Sequence, residues 1–230
     1  MRAAAEVAKG EAMEHQSGLE GFLFDMDGTL LHTLPDLVVV TNKALELEGF
    51  PPHAESEILR FVGNGVMSLV LQAVPAEATE EQAQRVFDHF TSLYSEYGLN
   101  LTKPYPKMLD VLSALRASGK KLGIVSNKFE QGVRDVERTY FPSLFDVSHG
   151  EAADIPRKPA PEGLLRSAQE MGLDPEKCVY FGDSGSDMQA AHNAGMYAVG
   201  VTWGYQPLEM LEQGKPDELI DKVEDILSFQ

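Results

Sequence analysis

The apolar positions of this chain change period twice. Phe22-Leu23-Phe24 is a short unbroken apolar run, and such a run predicts a strand buried on both faces. From Asp36 to about Tyr97 the strand pattern gives way to apolar residues at three- and four-residue intervals, as at Val86, Phe87, Phe90 and Leu93. That spacing predicts packed helices, including 36–48, 65–73 and 79–95, with breaks at Pro51-Pro52 and near Pro75. After Pro104-Tyr105-Pro106 short apolar runs alternate with helical patterns. The expected order is helix 107–117, strand 121–126, helix 130–138, strand 145–148, helix 161–171, strand 177–182, helix 186–194 and strand 196–201.

Strand–helix alternation of this kind predicts an α/β fold with a doubly wound parallel sheet, Rossmann-like, joined by right-handed crossovers. The helical stretch is then an insertion just after the first strand. The expected division is a core of residues 19–34 and 104–230, a helical cap of 35–103, and hinges near 32–36 and 98–105. A lid so placed can exclude water from a site at the strand ends. Residues 1–18, rich in Ala, Glu and Gly without a clear apolar face, read as a flexible or partly helical extension.

The candidate chemistry lies where apolar runs stop. The first run ends in Asp25-Met26-Asp27-Gly28-Thr29-Leu30, two carboxylates two residues apart. Closely spaced buried negative charges need compensation, and a divalent cation with oxygen ligands is the simplest. A solvated turn is the alternative, since Asp and Gly are common turn residues. Leu122 to Val125 lead to Ser126 and Asn127, whose hydroxyl and amide can hold a phosphoryl oxygen or, more plainly, cap a helix. Lys158 is stiffened by the prolines that follow it and could act on a phosphate or quiet a carboxylate cluster, or could be a solvated loop lysine. The run Val179-Tyr180-Phe181-Gly182 ends in Asp183, with Asp187 four residues on; either acid could instead favour a helix N-terminus. Within the helical block Phe61-Val62-Gly63-Asn64-Gly65 is an anion-competent loop or an ordinary interhelical turn.

With these segments in order, the chain resembles the haloacid dehalogenase superfamily, and within it the phosphoglycolate phosphatase-like hydrolases with a helical cap. The likeness rests on Asp25 to Leu30, Ser126-Asn127-Lys128, Arg157-Lys158-Pro159-Ala160-Pro161, and Gly182-Asp183-Ser184 with Asp187. Gly200-Val201-Thr202-Trp203-Gly204-Tyr205 and the 61–65 loop lean towards the phosphoglycolate group. The resemblance implies Mg²⁺-dependent hydrolysis of a small phosphomonoester, most specifically 2-phosphoglycolate, through an aspartyl-phosphate. It implies Asp25 as nucleophile and metal ligand, Asp27 as general acid and base with its main-chain carbonyl on the metal, Asp183 as a further ligand and Asp187 behind the ligands. Gly28, Thr29, Ser126, Asn127 and the catalytic Lys158 would hold the phosphoryl group. Gly63, Asn64 and Gly65 would face the leaving group from the cap, and Arg60 beside them would reach a substrate carboxylate or, more plainly, stand at the surface. His32 stands where the family often carries an acid.

An all-oxygen donor set favours magnesium over zinc. The second acid, Asp27, argues against halide removal, and the absence of lysine between Lys43 and Lys103 argues against a Schiff-base hydrolase. Sugar-phosphate phosphatase or phosphomutase, pyrophosphatase and nucleotidase chemistry remain open at this point, as does a phosphorylatable signalling module. A formal charge of −17 argues against nucleic acid or anionic membrane as partner, leaving a small phosphorylated metabolite. The single cysteine, Cys178, fits a reducing compartment, and with no signal-like apolar block the expected location is cytoplasmic. The sequence leaves the oligomeric state open.

Overall fold

The computed structural model describes residues 18–230, so the expected extension lies outside it except for Gly18. Strand β1 (Gly21–Phe24) comes first, and β2 (Leu31–His32) pairs antiparallel with β3 (Lys103–Pro104) in a small ribbon. Strands β4 (Lys121–Phe129), β5 (Val147–Glu151), β6 (Cys178–Gly182), β7 (Tyr197–Val201) and β8 (Glu218–Ile220) join β1 in one parallel sheet ordered β5-β4-β1-β6-β7-β8. This is the expected doubly wound sheet. β1 lies between β4 and β6, with Gly21 opposite Lys121 and Cys178, so all three strands start level, and β4 runs on past the end of β1.

Alternation along the central strands builds two cores. Phe22, Phe24, Ile124, Val179 and Phe181 point to one face, against Leu112, Leu115 and Val133, while Leu23, Val125 and Tyr180 point to the other, against Leu164, Ala168 and Met188. Both faces are covered because α5 (Met108–Ala117) and α6 (Glu130–Tyr140) pack on the first, and α7 (Glu162–Met171) and α8 (Gly185–Ala194) on the second. Phe181 stacks on Phe24 with ring centroids 5.0 Å apart and on Phe22 at 6.1 Å.

Between β2 and β3 the chain forms four helices (labelled here in chain order before α5), α1 (Leu34–Leu47), α2 (Glu55–Phe61), α3 (Gly65–Ala73) and α4 (Glu80–Tyr97), around their own core of Val40, Leu45, Val70, Val86 and Phe90. The α4 start is set by Thr79, whose side chain accepts from the Gln82 N–H while Gln82 reaches back to the Thr79 N–H. Buried Asp36 ties the two connecting segments together, accepting from the N–H groups of Leu101 (2.9 Å) and Thr102 (2.6 Å).

Some boundaries differ from expectation. β4 runs to Phe129 rather than stopping at 126, because Ser126, Asn127 and Lys128 are polar yet buried, which an apolar pattern does not reveal. β5 covers 147–151 rather than 145–148, its pairing with β4 shifting register between Val125 and Phe129. α1 starts at Leu34 with Pro35 in its first turn, and α2, α9 (Leu208–Gln213) and the three-residue β8 are too short for a periodic signal. Among the described residues no helix is long and apolar enough to cross a membrane. Cys178 is buried in the core, and burial pushes its thiol up to about 12.

Candidate active site

Because β4, β1 and β6 run parallel in register, the residues that follow Ile124, Phe24 and Phe181 meet at one edge of the sheet, where open α/β folds bind ligands. Asp25 follows β1 and donates its N–H to the Phe181 carbonyl (2.8 Å). Ser126 and Asn127 lie within the end of β4, and Asp183 follows β6. Ser184 caps α8, accepting from the Asp187 N–H, while Asp187 Oδ2 accepts from the Ser184 N–H (3.0 Å). Lys158 arrives from the segment before α7 and is held in place by its own N–H, which donates to Asn127 Oδ1 (2.9 Å).

The Lys158 ammonium is saturated. It contacts Asp25 Oδ1 at 2.6 Å, Asp187 Oδ1 at 2.7 Å, the Tyr180 hydroxyl at 2.8 Å and the Val125 carbonyl at 3.2 Å. Burial opposes its charge, but the Asp187 and Asp25 carboxylates outweigh that and raise its affinity for a proton. Even so, negative charge exceeds positive. Burial, reinforced by Asp187 and Asp27 and opposed by Lys158, lifts the Asp25 carboxyl to about 6. Burial with the Asp25 and Asp187 charges pushes Asp183 well above the usual carboxylate range.

Those three acids meet the test for a hard cation. Asp25, Asp183 and Asp187 are buried, and each offers a carboxylate oxygen within 4.8 Å of the others. Asp187 and Asp183 each have both oxygens engaged, those of Asp187 by Lys158 and Ser184 and those of Asp183 by Thr29 and the Tyr205 N–H. Among the described residues Asp25 accepts at Oδ1 alone, from Lys158, and is the freest donor of the three. Two glycines protect the arrangement. Gly28, at φ +90°, passes so close to Asp183 that a Cβ would strike its Oδ2, and a Cβ on Gly204 would collide with the same side chain.

Asp25, Asp27, Ser126, Asn127, Lys158 and Asp183 all line one cavity, with Gly63 and Gly65 on its helical side. Other expected site residues are placed differently. Thr29, expected at the phosphoryl group, is fully buried and turns its Oγ1 to Asp183 Oδ1 (3.3 Å). The Gly28 N–H, expected at the same group, donates to the Leu31 carbonyl (2.9 Å). The Asn127 amide donates to the Gly63 carbonyl (3.0 Å), tying core to helical block, and Arg157 does likewise to the Asn64 carbonyl (2.9 Å). Arg60 is exposed and does not line the cavity. His32 is exposed, its ring between those of Tyr105 and Tyr205.

Two contributors lay within quoted motifs, but sequence reasoning gave them no role. Lys128 is buried, with Nζ 3.3 Å from both Asp27 oxygens and 4.7 Å above the Tyr94 ring of α4. Burial opposes its charge, but Asp27 and Tyr94 together outweigh this, so its proton is held more tightly than in water. Tyr205 joins the metal-competent acids to the start of α1: its N–H donates to Asp183 Oδ2 (2.6 Å), and its hydroxyl accepts from the N–H groups of Thr33 (2.6 Å) and Leu34 (2.9 Å). The only signal was three adjacent residues, Trp203-Gly204-Tyr205, directly after a strand.

Residues 22–201 match the haloacid dehalogenase-like hydrolase family. The chain is 32% identical to a phosphoglycolate phosphatase of Mannheimia succiniciproducens, over 90% of this chain and 96% of that relative. It is 31% identical to a phosphoglycolate phosphatase of Salmonella typhi, over 94% of each. The crystal structure of a predicted phosphoglycolate phosphatase from Haemophilus somnus 129pt superposes with a TM-score of 0.86 at 32% identity, covering 92% of this chain and 98% of that one. Fold, site and relatives together define a phosphatase acting on phosphoric monoesters. The chain belongs to the haloacid dehalogenase-like hydrolase family.

Proposed function

We propose that this phosphatase hydrolyses 2-phosphoglycolate through an aspartyl-phosphate on Asp25, with Mg²⁺ as cofactor and residues 35–103 acting as a cap. One observation carries the reading: Asp25 sits in a buried cavity with Asp27 and Asp183, its Oδ1 held at 2.6 Å by Lys158. The names of the Mannheimia and Salmonella relatives support the substrate.

An Asp25 oxygen attacks phosphorus, forming the acyl–phosphate bond as the ester P–O bond breaks. Asp27 gives its proton to the leaving glycolate oxygen, then takes one from the water that attacks the phosphoenzyme, releasing phosphate and restoring Asp25. Lys158 orients Asp25 and favours its ionised form, while Ser126 faces the transferring group from β4. Thr29 and the Tyr205 N–H hold Asp183 in place. Asp25, Asp183 and the Asp27 carbonyl would hold Mg²⁺, with Asp187 fixing Lys158 behind them. When bound, the ion supplies positive charge to the transferring phosphoryl oxygens.

The test is a panel of 2-phosphoglycolate, hexose phosphates, nucleotides and pyrophosphate with Mg²⁺. The highest kcat/KM is expected for 2-phosphoglycolate; a tenfold advantage for any other ester would replace that substrate assignment. In Asp25→Asn no turnover is expected, and near-normal activity would remove Asp25 as nucleophile.

A further inference from the structure

The cavity is lined by two cations, and only one is saturated. Lys158 spends its ammonium on four acceptors at 3.2 Å or less. Lys128 is differently placed: its side chain is 3% exposed, yet its two contacts to Asp27 are both 3.3 Å. That is long for an ammonium–carboxylate pair, which closes to about 2.7–2.9 Å when fully engaged. The Tyr94 ring lies on another side, at 4.7 Å. Lys128 is thus a buried, protonated lysine beside the cavity, loosely shared, with capacity for one more anionic partner.

Position indicates what that partner is. Lys158 serves Asp25, where the phosphoryl group is taken up, whereas Lys128 serves Asp27, where the leaving oxygen is protonated. A group reaching Lys128 is therefore carried by the leaving alcohol. The helical side of the cavity offers little else to such a group, since Leu37, Val62, Val66, Leu69 and Phe90 are apolar. Sugar hydroxyls set against those apolar side chains would be desolvated without partners, the polar Ser186, Tyr205 and Gln206 lining the cavity elsewhere. Arg60, the cation expected from the cap, is on the surface.

We propose that Lys128, a core residue and not a cap residue, selects the substrate by binding a carboxylate on the carbon next to the ester oxygen. The substrate class is phosphate esters of 2-hydroxycarboxylates. The inference deepens the phosphoglycolate reading and rests on it.

The experiment measures kcat/KM for 2-phosphoglycolate and for its neutral amide, 2-phosphoglycolamide, with the full chain and Mg²⁺. Wild type is expected to prefer the acid. In Lys128→Met and Lys128→Gln the acid-to-amide ratio is expected to fall about 30-fold, equivalent to about 2 kcal/mol at about 1.36 kcal/mol per tenfold. Lys128→Arg, which keeps the charge, should retain most of the ratio. The Gln variant, which keeps donors in the site, gives the same readout should the Met variant not fold. Inhibition by inorganic phosphate, which lacks a carboxylate, reports in each variant that the Asp25 side is formed. Equal loss on acid and amide, with the ratio unchanged, overturns the role of Lys128 and leaves the phosphoglycolate reading standing. A wild-type enzyme that hydrolyses acid and amide alike overturns both.

Discussion

Replacing Lys158 by Met should destabilise the metal-free protein in a pH-dependent way. The ammonium touches Asp25 at 2.6 Å and Asp187 at 2.7 Å, and its side chain is 4% exposed. Removing one partner of a buried ion pair costs about 3–5 kcal/mol, because the remaining charge is stranded. The Asp25 carboxyl already lies at about 6, since burial outweighs Lys158. Without the lysine the strongest opposing influence is gone and the carboxyl rises further. A carboxyl raised by folding keeps a proton that the unfolded chain releases, so stability falls with pH across that window by about 1.36 kcal/mol per unit. In the wild type the Asp25 window runs from the ordinary carboxylate range to about 6 and then closes. Each further unit by which the variant's window extends adds about 1.36 kcal/mol of loss. Urea unfolding in EDTA, followed by the fluorescence of Trp203, the single tryptophan, reads both values directly. The difference between variant and wild type should widen steadily from pH 6 to pH 8. An identical difference at both pH values would refute the coupling of Lys158 to Asp25.

Mg²⁺ should raise the melting temperature far more at pH 8 than at pH 5, because protons compete with it for the raised Asp25 and Asp183 carboxyls. At 100 times its Kd a ligand adds about 2.7 kcal/mol; a shift independent of pH, by calorimetry, would place the ion elsewhere. Asp27→Asn should slow steady-state hydrolysis by about 10²–10⁴, and full-speed turnover would contradict its acid–base role. Asn127→Ala strands the Gly63 carbonyl and the Lys158 N–H, costing about 1–3 kcal/mol in urea unfolding and raising KM. Unchanged stability and KM would mean that this tie between core and helical block carries no energy.

What local sequence could determine was the set of strand ends and the charges on them. Phe22-Leu23-Phe24 before Asp25, and Val179-Tyr180-Phe181 before Asp183, are readable because a buried strand needs an uninterrupted apolar run and an acid ends it conspicuously. The change from short apolar runs to three- and four-residue spacing after Leu31, and back after Pro106, marked the helical insertion in the same way. Tertiary structure alone decided which side chains spend their bonds on one another. Thr29 turns to Asp183, 154 residues away, and the Tyr205 hydroxyl reaches the Thr33 N–H, 172 residues away. Lys128 reads as a polar residue past the end of a strand, yet the packing of α4 and Asp27 around it makes it a buried cation. Periodicity reports whether a residue faces a core; it carries no information on which distant group stands opposite, and that pairing sets the charge and hydrogen bonding of the site.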